Sequence, residues 1–171
     1  MSLTLEHLSS QRHSVTRTGL RILAGWALAN IVFGATFRAL PAISNEGFWE
    51  MTALWNVVNL VLAATGLRGI RREKASENLA QEIRSVHTLE KVLLFNGGLD
   101  VGYVLLGILL TQLTSGFMHR SYDGWGVAII VQGLFLFVFD LGFARRVSKL
   151  RGYETLLSGY PISQPDQKHP S

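Results

Sequence analysis

Residues 92–113 read VLLFNGGLDVGYVLLGILLTQL, and the reading of this stretch decides the fold. It has the length that a helix rising about 1.5 Å per residue needs to cross a hydrocarbon layer of about 30 Å. Three further windows match it in length and apolar character: residues 20–37, 48–67 and 125–144. In lipid a backbone must satisfy its own hydrogen bonds, so each window becomes a helix or a barrel strand. Unbroken apolar runs do not alternate as barrel strands do. The expectation is an all-α, four-helix transmembrane bundle with little mass outside the bilayer.

Composition agrees. Of 171 residues, 48% are hydrophobic and only 16% charged, against about a quarter charged in soluble domains. The chain has no cysteine, which excludes disulfides, thioether-linked haem and cysteine-ligated metals. The first window is not read as a cleaved signal peptide: a polar segment precedes it, it carries Asn30, and no small-x-small site follows.

The net charge of +4 is distributed unevenly. Arg12, Arg17 and Arg21 flank the first window; Arg68, Arg71, Arg72, Lys74, Arg84 and Lys91 lie between the second and third; Arg145, Arg146, Lys149 and Arg151 follow the fourth. The other two connections hold Arg38 and Arg120. The positive-inside rule places both termini and the middle connection in the cytoplasm, in an inner (plasma) membrane. Phe48, Trp49, Tyr122 and Trp125 fall where an outer aromatic belt would sit. The basic clusters are read as topology signals and contacts to membrane lipids, not nucleic-acid recognition.

Residues 1–19 are expected to be a cytoplasmic N-terminal segment, with at most a weak surface helix. The connection 68–91 is rich in helix formers, with Leu79, Ile83 and Val86 at helical spacing and Ser76 as a candidate start. It is expected to form an amphipathic cytoplasmic helix or to extend the second and third spans toward each other. The proline-rich tail, 148–171, is expected to be disordered.

Asp100 interrupts the quoted stretch. At 100° per residue Asn96, Asp100, Tyr103 and Gly107 share one stripe, and a carboxylate at mid-bilayer costs about 2.5 to 3.5 kcal/mol even on the mild insertion scale. The stripe must therefore face inward and find partners. Counting from the basic flanks, Asn30 and Asn59 fall at the depth of Asp100, with Asn56 one turn beyond. Thr52, Asn56, Asn59, Ala63 and Gly66 form a second stripe, and the fourth window adds Gln132. Gly126, Gly133 and Asp140 recur every seven residues, a seam suited to close helix packing and to a homodimer. Asp140 is also near enough to Arg145 to reach a basic partner at the interface.

The candidate ligand-binding residues are thus Asp100, Asn96, Tyr103, Asn30, Asn56, Asn59 and Gln132, with Asp140 secondary. Together they suit a small polar or ionic ligand or a lipid head group. One alternative is an intramembrane enzyme acting on lipids or isoprenoids, with Asp100 as acid or base. Another is a structural or assembly subunit, in which the amides only lock packing. Neither HExxH nor a P-loop is present, and the aspartates do not fall in DxxD spacing. No metal or cofactor is expected. His7, His13, His87, His119 and His169 lie outside the windows, which argues against a b-type haem. The two halves share a faint hairpin symmetry, each opening on an Asn-bearing window.

FNGGLDVGY at residues 95–103 and QGLFLFVFD at residues 132–140, with WNVVN at 55–59, resemble a family of small four-helix bacterial integral membrane proteins without assigned activity. The motifs are FNxGLDxxY and QGxFLxxFD. The resemblance implies Asn56, Asn59, Asn96, Asp100, Tyr103, Gln132 and Asp140 as pattern positions, and implies no reaction.

Overall fold

The computed structural model describes residues 5–40, 45–73, 78–114 and 124–150. They form four helices: α1 (Leu5–Arg38), α2 (Glu46–Arg72), α3 (Leu79–Thr114) and α4 (Trp125–Ser148). All four are long and apolar enough to cross a membrane. Helix α1 packs along α2, α3 packs along α4, and α2 joins the two hairpins by lying against α4.

Small residues set the closest approach. A Cβ on Gly107 would stand 2.7 Å from the carbonyl oxygen of Gly126, and a Cβ on Gly126 would stand 2.5 Å from that of Gly107. Only glycine at both positions lets the α3 and α4 backbones meet there. One heptad on, a Cβ at Gly133 would lie 3.2 Å from the Asp100 carbonyl oxygen. The Gly126/Gly133/Asp140 seam is therefore occupied by α3 of the same chain.

The outward faces are apolar. Val138 is 69% exposed, Phe95 68% and Leu105 62%, whereas much of what is buried is small or polar, including Thr52, Asn56, Asn59, Asp100 and Gln132. This inverts the usual arrangement of a water-soluble domain, in which large aliphatic side chains fill the interior.

One end of the bundle differs. The start of α1, the end of α2, the start of α3 and the end of α4 come together there, and with them most of the basic residues. Leu8, Val86, Val147 and Leu150 form a buried cluster joined by Val15, Leu79, Leu89 and Leu93. Beside it the Arg12 guanidinium donates to Glu82 at 2.6 Å and to Glu73 at 2.8 Å, and His13 lies 3.1 Å from Glu73. Burial opposes the Arg12 charge, but the hydrogen bonds to and charges of Glu82 and Glu73 outweigh it and hold the guanidinium above its ordinary pKa. Partial burial likewise opposes ionisation of Glu73, and Arg12, then His13, reverse that and pull its carboxyl below the usual range.

One boundary departs from the sequence reading. Residues 5–19 are the first half of a continuous 34-residue helix, because Leu8, Arg12 and Val15 follow the helical period and find a packed partner at this end. In the connection, α2 runs to Arg72 and α3 begins at Leu79, so the two helices are extended toward each other. Asn78 caps α3, its side-chain oxygen accepting from the Gln81 amide at 2.9 Å. Val86 is fully buried, as the spacing with Leu79 and Ile83 predicts. Ser76, His119, Arg120, Tyr122 and the tail from Arg151 lie outside the described residues.

Candidate functional site

The polar residues face inward as the helical period requires. Thr52, Asn56, Asn59 and Ala63 are buried along one face of α2. On α3, Asp100 and Gly107 are buried, with Asn96 and Tyr103 half-buried on the same side. The fourth helix buries Gln132, Gly133 and Asp140.

Inside the bundle this layer divides into two groups. In the first, the amides bond one another or their own helix, while the buried Thr52 hydroxyl has no hydrogen-bond partner among the described residues. The Trp26 indole donates to the Gln132 carbonyl at 3.1 Å, the Gln132 amide donates to Asn30 Oδ1 at 3.4 Å, and the Asn30 amide donates back to the Trp26 carbonyl at 2.9 Å. This closed loop ties α1 to α4, and Trp26 stacks on Phe135 with ring centroids 3.7 Å apart. On α2, the Asn56 amide donates to the Thr52 carbonyl at 2.8 Å, and the Asn59 amide donates to Asn56 Oδ1 at 3.4 Å.

The second group lines a cavity of about 310 Å³. Its polar wall is Asn59 of α2, Asn96, Asp100 and Tyr103 of α3 and Asp140 of α4; Trp55, Val58, Leu62 and Leu99 contribute to its apolar wall. Trp55 and Tyr103 meet edge to face at 4.9 Å. Asp100 is 3% exposed, and its Oδ2 has no hydrogen-bond partner among the described residues. The Asn56 and Asn59 amides are committed elsewhere: a short amide on a helix finds the carbonyl one turn back or the amide beside it before it reaches across to another helix.

Asp140 lies with Asp100, not with Arg145. Gly133 packs against the backbone of Asp100, and Leu141 contacts the Gly97 position, which brings Asp140 alongside the turn preceding Asp100. A Cβ tilts toward the N-terminus of its own helix. Since α3 and α4 run antiparallel, Asp100 leans back toward that turn and Asp140 leans up toward Asp100, and the two carboxylates converge on the cavity. The basic side chain nearest in sequence, Arg145, is exposed on another face.

The cavity therefore gathers Asp100, Asn96, Tyr103, Asn59 and Asp140, whereas Asn30, Asn56 and Gln132 belong to the bonded group outside its wall. Trp26 and Trp55 were not singled out from the sequence. The signal was present: Trp26 precedes Asn30, and Trp55 precedes Asn59, by four residues, so each shares its asparagine's face.

Such a site offers two carboxylates, amides, a phenol and an indole at the boundary of an apolar slot, a set suited to holding positive charge or a proton. In comparison with known proteins, the model of a family of unknown function, DUF6992, matches residues 22–141. That interval contains every residue of the cavity wall. No curated protein and no solved structure matches the chain.

Proposed function

The chain belongs to this family of unknown function, and from that premise we propose that it is a multi-pass membrane protein whose cavity at Asp100 and Asp140 binds a small polar or ionic ligand or a lipid head group. The observation that carries the reading is Asp100 itself, a residue 3% exposed on a cavity wall, with one carboxylate oxygen unpartnered among the described residues. If the role were packing alone, an asparagine would bond to its own helix as Asn56 does. An ionisable group kept at this depth is, in a membrane, a ligand or proton site by default.

Membrane insertion is supported by the four spanning-length helices and by their exposed aliphatic faces. Orientation is supported by the basic residues at one end of the bundle, which is taken as cytoplasmic with both termini. The opposite end carries Glu46, Glu50 and the Arg38–Glu50 pair at 3.6 Å.

Two experiments test the reading. The absence of cysteine makes single-cysteine labelling clean: in intact cells an impermeant maleimide should label Asn45→Cys and spare Ser148→Cys, and the reverse pattern would overturn the orientation. For the site, native mass spectrometry of protein extracted gently from its own membrane should show a noncovalent adduct that Asp100→Asn removes. An adduct unaffected by Asp100→Asn and by Asp140→Asn would overturn the binding reading.

A further inference from the structure

The cavity opens sideways. Helices α2 and α3 hardly touch along their backbones, since α2 packs on α1 and α4 and α3 packs on α4. Between them the cavity wall includes Val58 and Leu62 of α2, each 58% exposed, and Leu99 of α3, 42% exposed. These side chains belong at once to the wall and to the outward apolar face. On the side away from the basic end, the Trp55–Tyr103 ring contact closes the gap. No basic side chain lines the cavity among the described residues, while two carboxylates do, one with an unpartnered and almost wholly buried oxygen.

From this geometry we infer that the ligand is an alkylammonium dissolved in the bilayer, which enters between α2 and α3 and leaves its chain in the lipid. The inference rests on the binding role proposed above and names its ligand class. Each part of the site selects a part of such a molecule. The carboxylates supply counter-charge in a low-dielectric setting, where the attraction between opposite charges is strong. The faces of Trp55 and Tyr103 favour a cation through their ring quadrupoles. The aliphatic rim fits a hydrocarbon chain and gives a hydrated inorganic ion no polar path inward. At about 310 Å³ the cavity suits a head group, with the remainder of the ligand outside it.

The test uses the full chain in maltoside micelles, with binding read by native mass spectrometry. The probes are dodecyltrimethylammonium, tetramethylammonium with the same head group, and dodecanol with the same chain length. Dodecyltrimethylammonium should bind at least about tenfold more tightly than either of the others. Asp100→Asn with Asp140→Asn should abolish that preference over dodecanol. Leu62→Trp, which fills the lateral mouth without touching a charge, should weaken the alkylammonium and spare tetramethylammonium. If tetramethylammonium binds as tightly and Leu62→Trp changes nothing, lateral entry is overturned while the carboxylate site stands. If no cation binds in a carboxylate-dependent way, the ligand class is wrong, and the adduct experiment above then decides whether the site binds anything. Should the double variant not fold, Leu62→Trp and the probe comparison still decide between entry from lipid and entry from water.

Discussion

At the basic end of the bundle Arg12 meets Glu82 at 2.6 Å with both side chains almost fully buried, and midway along α3 Asp100 is as deeply buried with one oxygen that has no hydrogen-bond partner among the described residues. Both regions hide charge. At the end, Arg12 of α1 pairs with Glu82 of α3 and with Glu73 at the end of α2, so the cluster fixes how α1, α2 and α3 meet there. In the middle, Asn30, Asn56, Asn59 and Gln132 bond one another or their own helices, and the carboxylates face a cavity. Paired buried charge is tied to architecture, because removing one member strands the other; unpaired buried charge contributes little to architecture and is open to a ligand.

The sharpest way to break this contrast is at the end cluster. Arg12→Met leaves the Glu82 carboxylate buried without its guanidinium and should cost about 3–5 kcal/mol, read as a fall in thermal midpoint in detergent. Adding Glu82→Leu should recover most of that loss, since an apolar pair of similar volume avoids burying charge. A single variant without effect would show that the cluster is not structural.

The bonded amides come next. Gln132→Leu removes the acceptor of the Trp26 indole and the donor to Asn30, and should cost about 1–2 kcal/mol by the same measurement. Asp100→Asn should do less, within about 1 kcal/mol of the unmodified protein, because its Oδ2 forfeits no bond. A loss as large as that of Gln132→Leu would move Asp100 from the binding class to the packing class.

The smallest effect belongs to pH. Glu73 titrates below its ordinary value in the folded chain, so its contribution is fully present above the unfolded value and disappears as pH falls through the folded one, on the acid side of about pH 4. Glu73 is about a third exposed, and screening keeps the effect under about 1 kcal/mol. Glu73→Gln should flatten that part of the stability profile by lowering stability at neutral pH by that amount and leaving it unchanged at the acid end; an equally steep acid limb would assign the loss to another group.

How far the chain could be read in advance follows from the range of the forces involved. The helices were legible because length and apolar content are local, and the inward stripes because the 3.6-residue period acts within one helix: Asn96, Asp100 and Tyr103 share a side as their spacing requires. Counting rise from the basic flanks put Asn30 at the depth of Asp100 with Gln132 slightly outward, and the Gln132 amide bonds Asn30. The long N-terminal half of α1 was not legible, because Leu8, Arg12 and Val15 make a helix worth forming only when α3 and α4 supply the facing surface.

The sequence by itself determined four apolar helices and which residues turn inward, since burying polar groups away from lipid is settled one helix at a time. Tertiary structure decided which inward groups satisfy each other and which remain unspent. Close packing of Gly107, Gly126 and Gly133 sets the register of α4 on α3, and that register carries Asp140 to Asp100 instead of to Arg145. The separation of α2 from α3 leaves room beside the two carboxylates, and no spacing along one chain encodes a gap between two helices.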